Sequence, residues 1–120
     1  MPKFMLILNH TPGTYKGMSP EEMQRTVESY VAWVEKIRLD GRYVVSDKLQ
    51  EEGGKVVAQA QGKVSVIDGP YTESKEVIGG YFTIRAASYG EAVEIASGCP
   101  FLGAGSIVVR QTDPAGCGDE

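Results

Sequence analysis

The segment Asp68-Gly69-Pro70-Tyr71-Thr72-Glu73-Ser74-Lys75-Glu76 crowds carboxylates, hydroxyls and an ammonium group directly after a β-rich stretch. Polar loops placed at strand ends commonly carry binding and catalytic groups. The only histidine, His10, stands just past the carboxyl end of the first apolar stretch, so it and Asp68 can face one another at one sheet edge. A carboxylate beside an imidazole stabilises its charged form and fixes its tautomer, which suits proton transfer near neutral pH. Asp68 and His10 are therefore the candidate acid/base pair, with Glu73 and Lys75 as auxiliaries. Tyr15 and Tyr81, with Trp33 and Phe101, can supply apolar pocket walls. Bland roles fit the same residues: an Asx turn for Asp68 ahead of Gly69-Pro70, a solvated loop position for His10, and core packing for the aromatics.

Other chemistries have less to stand on. Cys99 falls at the C-terminal end of a short helical stretch, where the dipole disfavours a thiolate. One histidine and two separated cysteines, Cys99 and Cys117, make no zinc pattern, so neither a metal nor another cofactor is expected. The glycine-rich run from Gly98 to Ser106 lacks the Lys-Ser/Thr of a phosphate loop, and Gly53-Gly54-Lys55 follows no suitable buried strand. A formal charge of −4 and the lack of any basic cluster argue against direct nucleic-acid binding. The longest apolar run, Phe4 to Leu8, is too short to cross a bilayer, and Met1-Pro2-Lys3 does not open a signal peptide, so the expected location is cytoplasmic.

At 120 residues, 42% apolar and 23% charged, the chain has the size and composition of one globular domain. Residues 1–112 are expected to form it, with 113–120 as a flexible tail. Lys3 to Asn9 reads as a buried strand, ended by Thr11-Pro12-Gly13. Ser19-Pro20-Glu21-Glu22 carries a helix start with a capping box and proline at the first position. From there to about Asp40, Met23, Val27, Tyr30, Val31, Val34 and Ile37 mark one apolar stripe with Trp33 at its flank, and Gly41 supplies a left-handed end. Arg42 to Leu49 is partly extended. Lys55 to Ala60 and Lys63 to Ile67 flank Gln61-Gly62 as a hairpin. Val77 to Ala86 alternates as a strand, Ser88-Tyr89-Gly90-Glu91 opens a second capped helix ending near Gly98, and Ser106 to Gln111 closes the chain as a strand.

This order predicts an α+β fold of the ferredoxin-like split βαβ type, βαββαβ. Two helices cover one face of the sheet only, and the apolar residues on the other predict a homodimer packed sheet to sheet. Asp68-Gly69-Pro70-Tyr71, followed by Thr72 to Glu76 and by Gly79-Gly80-Tyr81-Phe82, closely resembles the DGPF signature of the YCII-related family, with Tyr71 where the signature has phenylalanine. The similarity extends to the first strand, the second capped helix, the Cys99-Pro100 corner and the last strand. The resemblance implies a ferredoxin-like fold assembled as a dimeric α/β barrel, with a pocket at a His and Asp pair and Tyr71 among its contacts. It implies an unknown small molecule as ligand and proton-transfer chemistry of a lyase, isomerase or hydrolase kind. It equally implies a non-catalytic metabolite-binding or regulatory module associated with extracytoplasmic-function sigma factors.

Overall fold

The computed structural model describes residues 1–11, 13, 15–52, 54–69 and 76–116. Strand β1 (Lys3–His10) alternates strictly, burying Phe4, Leu6, Leu8 and His10 on one side and leaving Met5, Ile7 and Asn9 half-buried on the other. Helix α1 (Pro20–Leu39) starts where the capping box requires. Glu22 N–H donates to Ser19 Oγ at 3.1 Å, while the Glu22 carboxylate accepts from Ser19 N–H at 3.3 Å. Its end is a Schellman motif around Gly41, at φ 73°. Arg42 N–H reaches the Ile37 carbonyl at 2.9 Å and Gly41 N–H reaches that of Arg38 at 3.0 Å.

Strand β2 (Tyr43–Lys48) follows, then β3 (Lys55–Ala60), β4 (Lys63–Asp68), β5 (Val77–Arg85), α2 (Tyr89–Ser97), a 3₁₀ turn (Pro100–Gly103) and β6 (Gly105–Gln111). The main sheet is antiparallel throughout, in the order β2-β5-β1-β6. With β3 and β4 set aside, that is the ferredoxin-like order: two split βαβ units, each with a strand of the other between its own pair. Both helices lie on the face bearing Phe4, Leu6, Phe82 and Ile84, where Trp33 and Ile37 of α1, Ala92 and Ala96 of α2, and Phe101 complete the core. No helix among the described residues is long and apolar enough to cross a membrane.

Three expectations change. The hairpin does not join the main sheet. Gln61 (φ 52°) and Gly62 (φ 77°) form the expected tight turn with both central residues left-handed, but β3 and β4 pair only with each other, and the second sheet strand is the "partly extended" stretch, β2. Helix α1 is also rotated from the expected stripe. Trp33 and Ile37 are buried and Tyr30 and Val34 half-buried, whereas Met23, Val27 and Val31 stay exposed. The reason is size: the Trp33 indole takes the central position, edge-on to Phe82 at 4.9 Å, and its Nε1–H donates to the Ile95 carbonyl at 3.2 Å. Only half of the second capping box forms. Glu91 N–H donates to Ser88 Oγ at 3.2 Å, but the Glu91 carboxylate turns to Ala87 N–H at 3.0 Å and to the Arg42 guanidinium, tying α2 to the start of β2.

Residues 113–116 close a turn, with Ala115 N–H on Asp113 Oδ1 and Gly116 N–H on the Asp113 carbonyl, both 2.9 Å; Cys117 and the rest of the expected tail lie outside the described residues. Because Ser19 closes a reciprocal cap, Ser19→Ala is expected to lower stability by about 0.5–2 kcal/mol in chemical denaturation. An unchanged midpoint would remove the cap from the account.

Candidate functional site

The rotation of α1 opens a site. Its C-terminal half is seated on the sheet through Trp33 and Ile37, while its N-terminal half stands off the β2 edge. A cleft of about 590 Å³ lies between them, well inside the size range of small-molecule sites. Met23, Val27 and Val31 of α1 form one wall, and Leu8, Phe82 and Phe101 line the inner side. Lys16, Asp47, Lys48 and Glu51 stand among the lining residues as its charged groups.

His10 lies at the inner end, 4% exposed. Its position depends on a β-bulge. Leu8 pairs with Gly80 and Asn9 with Ile78, which leaves Gly79 as the extra residue on β5. The imidazole rests on that glycine: a Cβ at position 79 would come within 2.6 Å of His10 Cδ2 and 2.7 Å of Nε2. Phe101 meets the ring edge-on at 6.1 Å, and Tyr15 lies tilted to it at 6.2 Å. Nδ1 is 3.0 Å from the Thr11 carbonyl. A carbonyl only accepts, so Nδ1 carries the proton of the neutral ring and Nε2 holds the free lone pair. Among the described residues no hydrogen bond reaches Nε2, and since no buried side-chain nitrogen or oxygen there lacks a partner, this atom is open to the cleft.

Two phenols complete the polar lining. Burial raises the pKa of Tyr15, and burial together with the neighbouring Tyr15 hydroxyl pushes that of Tyr30 far up, so both stay protonated at neutral pH, and the two hydroxyls hydrogen-bond each other. Ser46 Oγ and Tyr43 Oη are bonded to each other at 2.7 Å, and Thr26 Oγ1 donates to the Glu22 carbonyl at 2.9 Å. Cys99 is buried, which raises its pKa and keeps it a thiol, in keeping with a packing role. No cluster of metal-ligating side chains occurs among the described residues.

The expected site residues separate. Tyr15 and His10 come together in the cleft. Tyr81 borders it, but its hydroxyl donates to Asp47 Oδ2 at 2.9 Å, and that bond raises the Tyr81 pKa. Asp68 is not part of the cleft. It ends β4 opposite Lys55, with its side chain 88% exposed and Oδ1 2.6 Å from Lys55 Nζ, so the protomer does not bring it to the His10 ring. Tyr71, Glu73 and Lys75 lie outside the described residues. Tyr30, Gly79 and the Met23/Val27/Val31 wall escaped sequence reasoning as site residues. The usable signal was Gly79-Gly80 itself, an adjacent glycine pair in a strand, which marks a bulge or a close approach.

A ferredoxin-like α+β domain with helices on one face and an imidazole-tipped apolar cleft beneath the first helix is thus the class of protein described. The chain belongs to the YCII-related domain family, whose model matches residues 2–114. It is similar to a solved structure of 5-chloro-2-hydroxyhydroquinone dehydrochlorinase (TftG) from Burkholderia phenoliruptrix AC1100, in complex with 2,5-dihydroxybenzoquinone. The similarity covers 92% of this chain and 93% of that one, at 15% identity and a TM-score of 0.53, and establishes the shared fold. No curated protein matches the chain at a significant level.

The bulge makes a specific demand on position 79. Gly79→Ala is expected to displace the imidazole, moving the single histidine resonance in the NMR spectrum and lowering stability by about 1–3 kcal/mol through overpacking. An unchanged resonance would show that the ring does not rest on this glycine.

Proposed function

We propose that the cleft binds a small, largely apolar ring-bearing molecule and that His10 Nε2 transfers a proton on it, in chemistry of the lyase or isomerase kind. One observation carries this reading: a buried imidazole whose Nδ1 is committed to a backbone carbonyl and whose Nε2 has no hydrogen-bond partner among the described residues, at the end of an apolar cleft. A ring held this way is a base of fixed tautomer and fixed aim. Nε2 takes a proton from a substrate carbon or hydroxyl and returns it to the departing or rearranged group. Of the paired phenols of Tyr15 and Tyr30, one donates to the other and the other donates to an oxygen that gains charge during the step. The ligand named for the similar structure, a dihydroxylated quinone, supports a flat oxygenated ring as the substrate class, by analogy of fold alone.

Asp68 stands outside the protomer's own cleft, paired with Lys55, and we assign the open sheet face, with Ile7, Val45 and Val108, to packing against a second copy of the chain. Titration with 2,5-dihydroxybenzoquinone should shift the His10 ring resonances. Turnover of a substrate found by screening hydroxylated aromatics should fall by about 10²–10⁴ in His10→Gln, the usual contribution of a positioned acid/base group. Binding that leaves His10 unperturbed, or full turnover by His10→Gln, overturns the reading; binding without turnover of any substrate favours a metabolite-sensing module. Asp68→Asn decides the carboxylate separately: retained turnover leaves Asp68 to its Lys55 pair at the hairpin base, and lost turnover with retained folding places it in the reaction.

A further inference from the structure

The β3–β4 hairpin is built for company it does not have within one protomer. Cross-strand pairing puts Val56, Ile67, Ala58 and Ala60 on one of its faces, with Ser65 and Lys63 toward the tip, and Val57, Val66 and Val64 on the other, with Gln59 among them and the Lys55–Asp68 pair at the base. All six positions of each strand are exposed, and the five large aliphatics are between 38% and 68% accessible. Among the described residues no hydrogen bond ties either strand to the four-stranded sheet. A two-stranded hairpin alone in water is marginally stable, and bare apolar strands with open edges invite association. Apolarity on one face would suit a hairpin lying on a surface. Exposed aliphatic centres on both faces call for cover on both.

The size of the uncovered area says how much cover. The chain exposes 8337 Å², against roughly 6,300 Å² for a compact monomer of its mass, an excess of about 2,000 Å². Its radius of gyration is 16.6 Å, where a compact domain of this length has about 14 Å. A standard stable interface buries about 800 Å² per partner and permanent dimers more, so the excess matches a dimer's need. The same chain also carries the second apolar surface, the open sheet face. The arm is inserted between β2 and β5 of that sheet, and Ile78, 51% exposed, follows the insertion at the start of β5. A chain bearing two such surfaces meets the condition for a two-fold, self-complementary contact.

We infer that β3–β4 is a dimerisation arm, and that a second copy of this chain covers it on both faces. This goes beyond the sheet-to-sheet packing proposed above, which by itself leaves the arm bare. Light scattering on the full chain should give twice 12.9 kDa. Val57→Lys with Val66→Lys, a cross-strand pair on one face, should return the mass to 12.9 kDa with the helical circular dichroism unchanged, and Val56→Lys with Ile67→Lys on the other face should do the same. Isoleucine at positions 57 and 66 should leave the dimer intact. Val108→Lys probes the sheet face independently: a dimer lost there but kept in both arm variants overturns the arm while sustaining the sheet contact, and the reverse pattern does the opposite. Amide exchange on the unmodified protein guards against a variant that fails to fold. Protection of residues 55–68 that disappears on dilution supports the arm, whereas a monomeric protein, or a dimer whose arm amides exchange freely, refutes it.

Discussion

Much of the molecule depends on where the Trp33 indole goes. It is the largest side chain on α1, and it settles edge-on against Phe82 with its N–H on the Ile95 carbonyl, so one residue joins the first helix to the sheet and to the second helix at once. That contact fixes the rotation of α1. With Ile37 one turn further on, it seats the C-terminal half of the helix and leaves the N-terminal half raised, with Met23, Val27 and Val31 turned toward the cleft. The core on one side of Trp33 and the site on the other are two results of the same packing choice.

Local signals in the sequence were read well, because they act over a few residues. The Ser19 box, the left-handed Gly41, the Gln61-Gly62 turn and the Ser88 cap all appear where their side chains require. The rotation of α1 was not legible for a definite reason. Met23, Val27 and Val31 make one stripe, Tyr30, Val34 and Ile37 make its neighbour, and periodicity alone cannot choose between adjacent stripes. Nor can alternation tell whether two paired strands join a larger sheet. The apolar residues of β3 and β4 read as two paired strands, and that pairing holds, but among the described residues their sheet partner is only each other.

The candidate site divides along the same line. His10 was found because it is the sole imidazole, and the strand alternation that points Phe4, Leu6 and Leu8 inward points it inward too. Placing Asp68 beside it required knowing that β4 ends at the same edge of the same sheet. The strand instead belongs to the hairpin, and Asp68 closes the hairpin's open end with Lys55. The two residues share a strand-end position in the sequence pattern and occupy different sheets in space.

The bulge at Gly79 has a consequence for how such a site can change over time. The base of the cleft is backbone and a ring held against it, fixed by close approach, whereas the facing wall is three exposed aliphatics on a raised helix flank. Substitutions at exposed positions outside special contacts typically alter stability by no more than about 0.5 kcal/mol. Wall and fold are therefore nearly uncoupled. Drift at positions 23, 27 and 31 can reshape what the cleft admits while the imidazole keeps its tautomer and aim, so that a single scaffold can pass from one ligand to another without crossing an unstable intermediate.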